Sequence, residues 1–118
     1  MLKLIHMLHG VVVSDIEINE GELTIGRNTD CGLQIEDPRV SGTHACLKIQ
    51  KNEYMPDMLD VIVEDLGSTN GTYINNLKVT THKVHNGDII KFGTHEFKLV
   101  DDEHNEMTQT EYYIPDDN

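Results

Sequence analysis

Tryptophan is absent from this chain of 118 residues, and aromatic side chains make up only 5% of it. A core must therefore be built from Ile, Leu and Val rather than from large rings. Basic residues are also scarce: 9 Lys and Arg stand against 21 Asp and Glu, a formal charge of −12. That balance offers no basic footprint for a nucleic-acid backbone or an anionic membrane surface, so neither partner is expected. It does not exclude a single phosphate, which a few local donors bind while the global field mainly slows its approach. No apolar run approaches the ~20 residues that span a bilayer. The opening stretch from Met1 to Gly10 is apolar, yet too short and interrupted for a signal peptide. Two cysteines, Cys31 and Cys46, without a secretory context make no disulfide framework, and a cytoplasmic location is expected.

What the chain does have is a period of two. Ile16 and Ile18 alternate with polar residues, as do Leu23 with Ile25, and Ala45 with Leu47 and Ile49. Val61 with Val63, Ile90 with Phe92 and Phe97 with Leu99 follow the same rule. Turn residues punctuate these runs at Asn19-Glu20-Gly21, Asn28-Thr29-Asp30, Asp37-Pro38, Gly67 to Gly71, Asn75-Asn76, Asn86-Gly87-Asp88 and Gly93-Thr94. Short alternating strands with such punctuation predict an all-β sandwich, and no window carries a helical period. The length suits one domain, expected over residues 1–100. Residues 101–118 are acidic and without periodicity, which predicts a flexible tail or linker. Lys51 to Asp60 is expected to be a polar connection longer than a tight hairpin needs.

The chemistry-bearing residues sit in the turns. Gly26-Arg27 directly follows the strand Leu23-Thr24-Ile25, Ser41 to His44 precedes the strand starting at Ala45, and Asp65 to Thr72 links two further strands. An arginine fork, two or three hydroxyls and an asparagine amide match the oxygen shell of a phosphate. Taken singly, each has a plainer reading. Arg27 could be a solvated charge or an ion-pair partner, and Ser41 and Thr69 could bond only their own turn backbone. Gly71, Gly87 and Gly93 are most simply turn glycines with positive φ. Cys46 alternates with Ala45 and Leu47 and so belongs to the opposite face of its strand.

Gly26-Arg27, Ser41-x-x-His44, Asn70-Gly71 and Asn86-Gly87-Asp88 with Phe92-Gly93 occur in the order and spacing of one family. From about Leu2 to Val100 the chain resembles the forkhead-associated (FHA) domain, a reader of phosphorylated protein segments. The resemblance implies two twisted antiparallel sheets of about 10–11 strands with recognition loops at one end. It implies that Arg27, Ser41 and Thr69 bind the phosphate of a phosphothreonine and that Asn70 holds the ligand backbone. His44 is implied as a structural brace, and Gly26 as the glycine that lets the chain turn before Arg27. Arg39 falls where family members choose the third residue after the phosphothreonine, and its charge would favour an acidic one. Gly42 departs from the Arg or Asn common after the serine, so a peptide contact is lost and flexibility gained. Micromolar affinity, about −8 kcal/mol, is expected for so small a contact.

The partner implied is a phosphothreonine-containing protein, a Ser/Thr kinase or its substrate, without a cofactor. The alternative is a phosphate-independent FHA-like module that binds through a sheet surface. An enzyme is not expected: Ser41 and His44 lack a Gly-x-Ser-x-Gly elbow, and at a turn they do not align nucleophile and base. His82 and His85 lack the companions of a metal site. In the tail, a phosphorylated Thr108 or Thr110 could serve as ligand for a neighbouring copy, because Glu111 stands third after Thr108.

Overall fold

The computed structural model describes residues 2–101. These form eleven strands and no helix, in chain order β1 (Leu2–Leu8), β2 (Val11–Ile18), β3 (Gly21–Gly26), β4 (Leu33–Gln34), β5 (Ala45–Lys51) and β6 (Leu59–Asp65). The remainder are β7 (Thr72–Ile74), β8 (Leu77–Val79), β9 (Thr81–Val84), β10 (Ile89–Phe92) and β11 (His95–Asp101). One sheet has the order β2-β1-β11-β10-β7-β8 and the other β4-β3-β5-β6-β9. The pairings are antiparallel except that of β3 with the two-residue β4, where Ile25 and Gly26 lie beside Leu33 and Gln34 in parallel.

The alternating residues are the ones that meet between the sheets. Ile25, Ala45, Leu47, Ile49, Val61 and Val63 from one sheet face Ile90, Phe92, Phe97 and Leu99 from the other, and all are buried. Register keeps them together: Leu47 lies opposite both Leu23 and Val63, and Ile90 lies opposite both Ile74 and Phe97. A one-residue slip in any strand would turn its apolar set outward, so burial itself enforces the pairing. Phe92 and Phe97 pack at 5.9 Å between ring centroids in the middle of this layer. Both cysteines are free thiols; Cys46 lies opposite Thr24 and Glu64, yet is buried rather than solvated on that face.

Several boundaries differ from the sequence expectation. β11 runs through Asp101, which pairs with Leu2, so the strand takes in the first residue assigned to the tail. The long connection shortens to residues 52–58, because Lys51, Leu59 and Asp60 extend the β5–β6 ladder. Asn52 closes it by accepting from the backbone N–H groups of Tyr54 and Met55, each at 2.9 Å. Asn75 and Asn76, at φ 50° and 71°, make the tight β7–β8 turn, a conformation asparagine tolerates better than most residues. Thr108 and Thr110 lie outside the described residues. No helix among the described residues is long and apolar enough to cross a membrane.

Candidate functional site

β3 and β6 end, and β5 begins, at the same end of one sheet, since β5 is antiparallel to both neighbours. The segments Gly26–Asn28, Asp37–His44 and Gly67–Gly71 are therefore delivered to one place. They enclose an open groove of about 320 Å³ lined by Arg27, Pro38, Arg39, Val40, Ser41, Gly42, Thr69 and Asn70. Among these are all six residues assigned from sequence to phosphate or peptide contact.

His44 ties two of the segments from beneath. Its ring is fully buried, and Phe92 meets it edge-on at 5.3 Å. Nδ1 accepts the Ser41 backbone N–H at 3.1 Å, so the ring proton sits on Nε2, which donates to the Gly71 carbonyl at 2.8 Å. One side chain thus satisfies a donor from one loop and an acceptor from another, both away from water. Val40 is fully buried and pins the first of these loops, while its neighbours Arg39 and Ser41 are exposed and half-buried.

Asp65 organises the other loop. Its carboxylate accepts the N–H groups of Gly67 and Ser68 at 3.1 Å, the Ser68 hydroxyl at 2.5 Å and the Thr72 hydroxyl at 2.7 Å. Ser68 Oγ in turn accepts the Gly71 N–H at 2.9 Å. Burial opposes ionisation of Asp65, but the hydroxyl and backbone donors outweigh it and hold the carboxyl below its usual range. Gly71 adopts φ +89°, the left-handed turn that lets Thr69 and Asn70 project at the tip.

Along the groove, Ser41 Oγ accepts the Thr69 N–H at 3.0 Å, a contact across 28 residues rather than to its own turn. Its hydroxyl hydrogen is left to donate. The Asn70 amide donates to the Arg39 carbonyl at 2.8 Å, bridging the two loops. Arg27 makes one long contact, 3.5 Å from Nη1 to the Pro38 carbonyl, and pairs with no carboxylate among the described residues. It is thus a cation available to a ligand at the mouth of the groove.

Two glycines are fixed by close approach. Gly26, expected to let the chain turn before Arg27, lies so near its neighbour that a Cβ there would be 2.2 Å from the Gly42 carbonyl oxygen. Across that contact Arg27 N donates to Ser41 O at 3.0 Å and Asn28 N to Gly42 O at 3.1 Å. At Gly42 the carbonyl also accepts from the Cys31 thiol at 3.4 Å, and a Cβ would meet the Asn28 carboxamide at 3.0 Å. Arg39 Nε and one terminal nitrogen reach the two oxygens of Asp37 at 3.2 and 3.3 Å, so its charge already has a partner. Asp37 is buried, and the Arg39 backbone N–H, then the Arg39 side chain, hold its carboxyl down to about 2.

Sequence reasoning treated Asp37 and Asp65 as turn residues only, and did not single out Asn28. Signals were present for the aspartates: Asp two or three residues ahead of Gly, Ser or a turn N–H is the Asx pattern. No local pattern pairs Asn28 with Gly42, which lies 14 positions away.

The sequence profile of the FHA domain matches residues 23–93. Over 66 residues the chain is 42% identical to the FHA domain-containing protein FhaB of Mycobacterium tuberculosis, a match spanning 56% of this chain and 38% of FhaB. It is 32% identical over 83 residues to the glycogen accumulation regulator GarA of the same organism, covering 70% of this chain and 46% of GarA. The chain thus spans less than half the length of these relatives. A solved structure from a study of phosphothreonine-dependent FHA domain interactions superposes with TM-score 0.69 at 26% identity, over 84% of this chain and 96% of that one.

Proposed function

The chain belongs to the FHA domain family, and on that footing we propose that it is a phosphothreonine-dependent interaction module that works by binding rather than by catalysis. The observation that carries this reading is the Arg27 guanidinium, with no carboxylate partner among the described residues, lining one groove with Ser41 where the loops are fastened by His44 and Asp65. In this reading Arg27, Ser41 and Thr69 donate to the phosphate, and Asn70 engages the ligand backbone. Each charge-assisted hydrogen bond to a group of about −1.5 to −2 charge contributes about 1.5–3 kcal/mol net. Two or three of them sum to about 3–9 kcal/mol, and the preformed frame limits the ordering cost set against them; micromolar affinity, about −8 kcal/mol, is the expected ceiling. The partner class is a protein phosphorylated on threonine by a Ser/Thr kinase.

Calorimetric titration with matched peptides carrying Thr, phosphothreonine or phosphoserine tests it. Saturable binding of the phosphothreonine peptide, abolished in Arg27→Ala with the fold intact, is the expected result. The phosphate-independent reading draws on β2, an edge strand whose Val11, Val12 and Val13 are 65, 61 and 56% exposed. A folded domain that ignores every phosphopeptide would shift the account to that edge.

A further inference from the structure

Behind the groove, Asp37 joins a line of side chains that reaches the opposite sheet. Arg39 Nε and a terminal nitrogen lie on its two oxygens, and the same terminal nitrogen is 3.4 Å from Thr94 Oγ1. On the far side His95 Nε2 lies 3.2 Å from Asp37 Oδ2, and His95 Nδ1 lies 2.9 Å from His6 Nε2. Asp37 is 6% exposed and the His95 side chain 14%, whereas the Arg39 side chain is 60% exposed and stands at the groove. His6 stacks on Phe97 at 4.5 Å, which fixes its ring.

A carboxylate oxygen only accepts, so the His95 Nε2 contact is an N–H donation to Asp37. The charged or titratable groups facing this line are Arg39 from the same loop, His95 from β11 and His6 from β1; Thr94 adds a hydroxyl.

We propose that Asp37 is a specificity-determining residue: it masks Arg39, so the domain does not favour an acidic third residue after the phosphothreonine. This rests on the reading of the groove as a phosphothreonine site. A free arginine would attract a carboxylate, but an arginine closed on a buried aspartate presents a neutral pair inside a chain of formal charge −12.

The test uses phosphothreonine peptides identical except for Asp, Ala or Lys at the third following position. Their affinities are measured by fluorescence anisotropy at neutral pH. For the native domain, the Asp and Ala peptides are expected to bind within about threefold of each other. Asp37→Asn, which keeps an oxygen for the Arg39 N–H, should prefer Asp by about tenfold. If Asp37→Asn fails to fold, Arg39→Gln decides: it should match the native profile. A native domain already about tenfold selective for Asp, with selectivity lost in Arg39→Gln, overturns the proposal. Peptides that bind with equal ratios in the native domain and in a folded Asp37→Asn do so too. Failure of all phosphothreonine peptides to bind a folded domain would defeat the parent reading and this one with it.

Discussion

Replacing Gly26 by alanine should damage stability and recognition together. The new Cβ would lie 2.2 Å from the Gly42 carbonyl oxygen, 2.9 Å from its carbon and 3.1 Å from Cys31 Sγ. Two of the three obstacles are backbone, so no rotamer change relieves the contact, and the loops must part by roughly 1 Å. Parting them stretches the Arg27–Ser41 and Asn28–Gly42 backbone hydrogen bonds, now 3.0 and 3.1 Å. Overpacking costs about 1–3 kcal/mol, and two weakened bonds add about 0.5–1.5 kcal/mol each. Because one movement causes both losses, a total of about 2–4 kcal/mol is expected. At about 4–8 °C per kcal/mol for a domain of this size, the melting midpoint should fall by roughly 8–32 °C. Thermal melts and urea titrations with an unchanged m-value measure this. Below the midpoint, phosphopeptide affinity should drop at least tenfold, because Arg27 and Ser41 move apart. Gly87→Ala is the control: its φ is +93°, with nothing within 4 Å, and it sits near the C-terminal end of β11, away from the groove. It should lose stability and keep affinity. A Gly26→Ala domain melting within about 2 °C of the native one and binding equally well would refute the close-approach argument.

Other outcomes follow from the same geometry. His44→Ala should leave the Ser41 N–H and the Gly71 carbonyl without their present partner, costing about 3–5 kcal/mol with the cavity included, as read by urea midpoint. Thr69→Ala should weaken phosphopeptide binding by about 1.5–3 kcal/mol and leave the melt unchanged, since no partner for its hydroxyl occurs among the described residues. If the melt falls instead, Thr69 is a turn residue. Asp37 and Asp65 have folded pKa values below the unfolded ones, so the unfolded chain binds more protons in acid and stability rises with pH. Their contribution is fully present above about pH 5 and drains away toward about pH 2, where Asp37 titrates. Denaturant midpoints across that range should flatten in Asp37→Asn.

The strand set was legible because alternation is local. Every residue of the Ala45, Leu47, Ile49 series and of the Ile90, Phe92, Phe97, Leu99 series is buried. The short strands β4, β7, β8 and β9 were less visible, since two to four residues offer too few alternations to count. Groove membership was legible for a different reason: recognition residues cluster in turns, and the order of motifs around Arg27, Ser41 and Asn70 identified the family.

Sequence alone therefore determined the class of fold, the family and the loops whose polar residues line the groove. Those properties depend on residue type and on neighbours close along the chain. Tertiary structure decided what each polar group was already doing. Only there does Gly26 meet Gly42, Asn28 cover Gly42, and Arg39 close on Asp37 with His95 and His6 behind it. Asp37 and His6 are 31 positions apart, and no local rule brings them together. The charge a ligand would meet at Arg39 follows from that packing, because a buried carboxylate must be satisfied by whatever cation the fold places within reach.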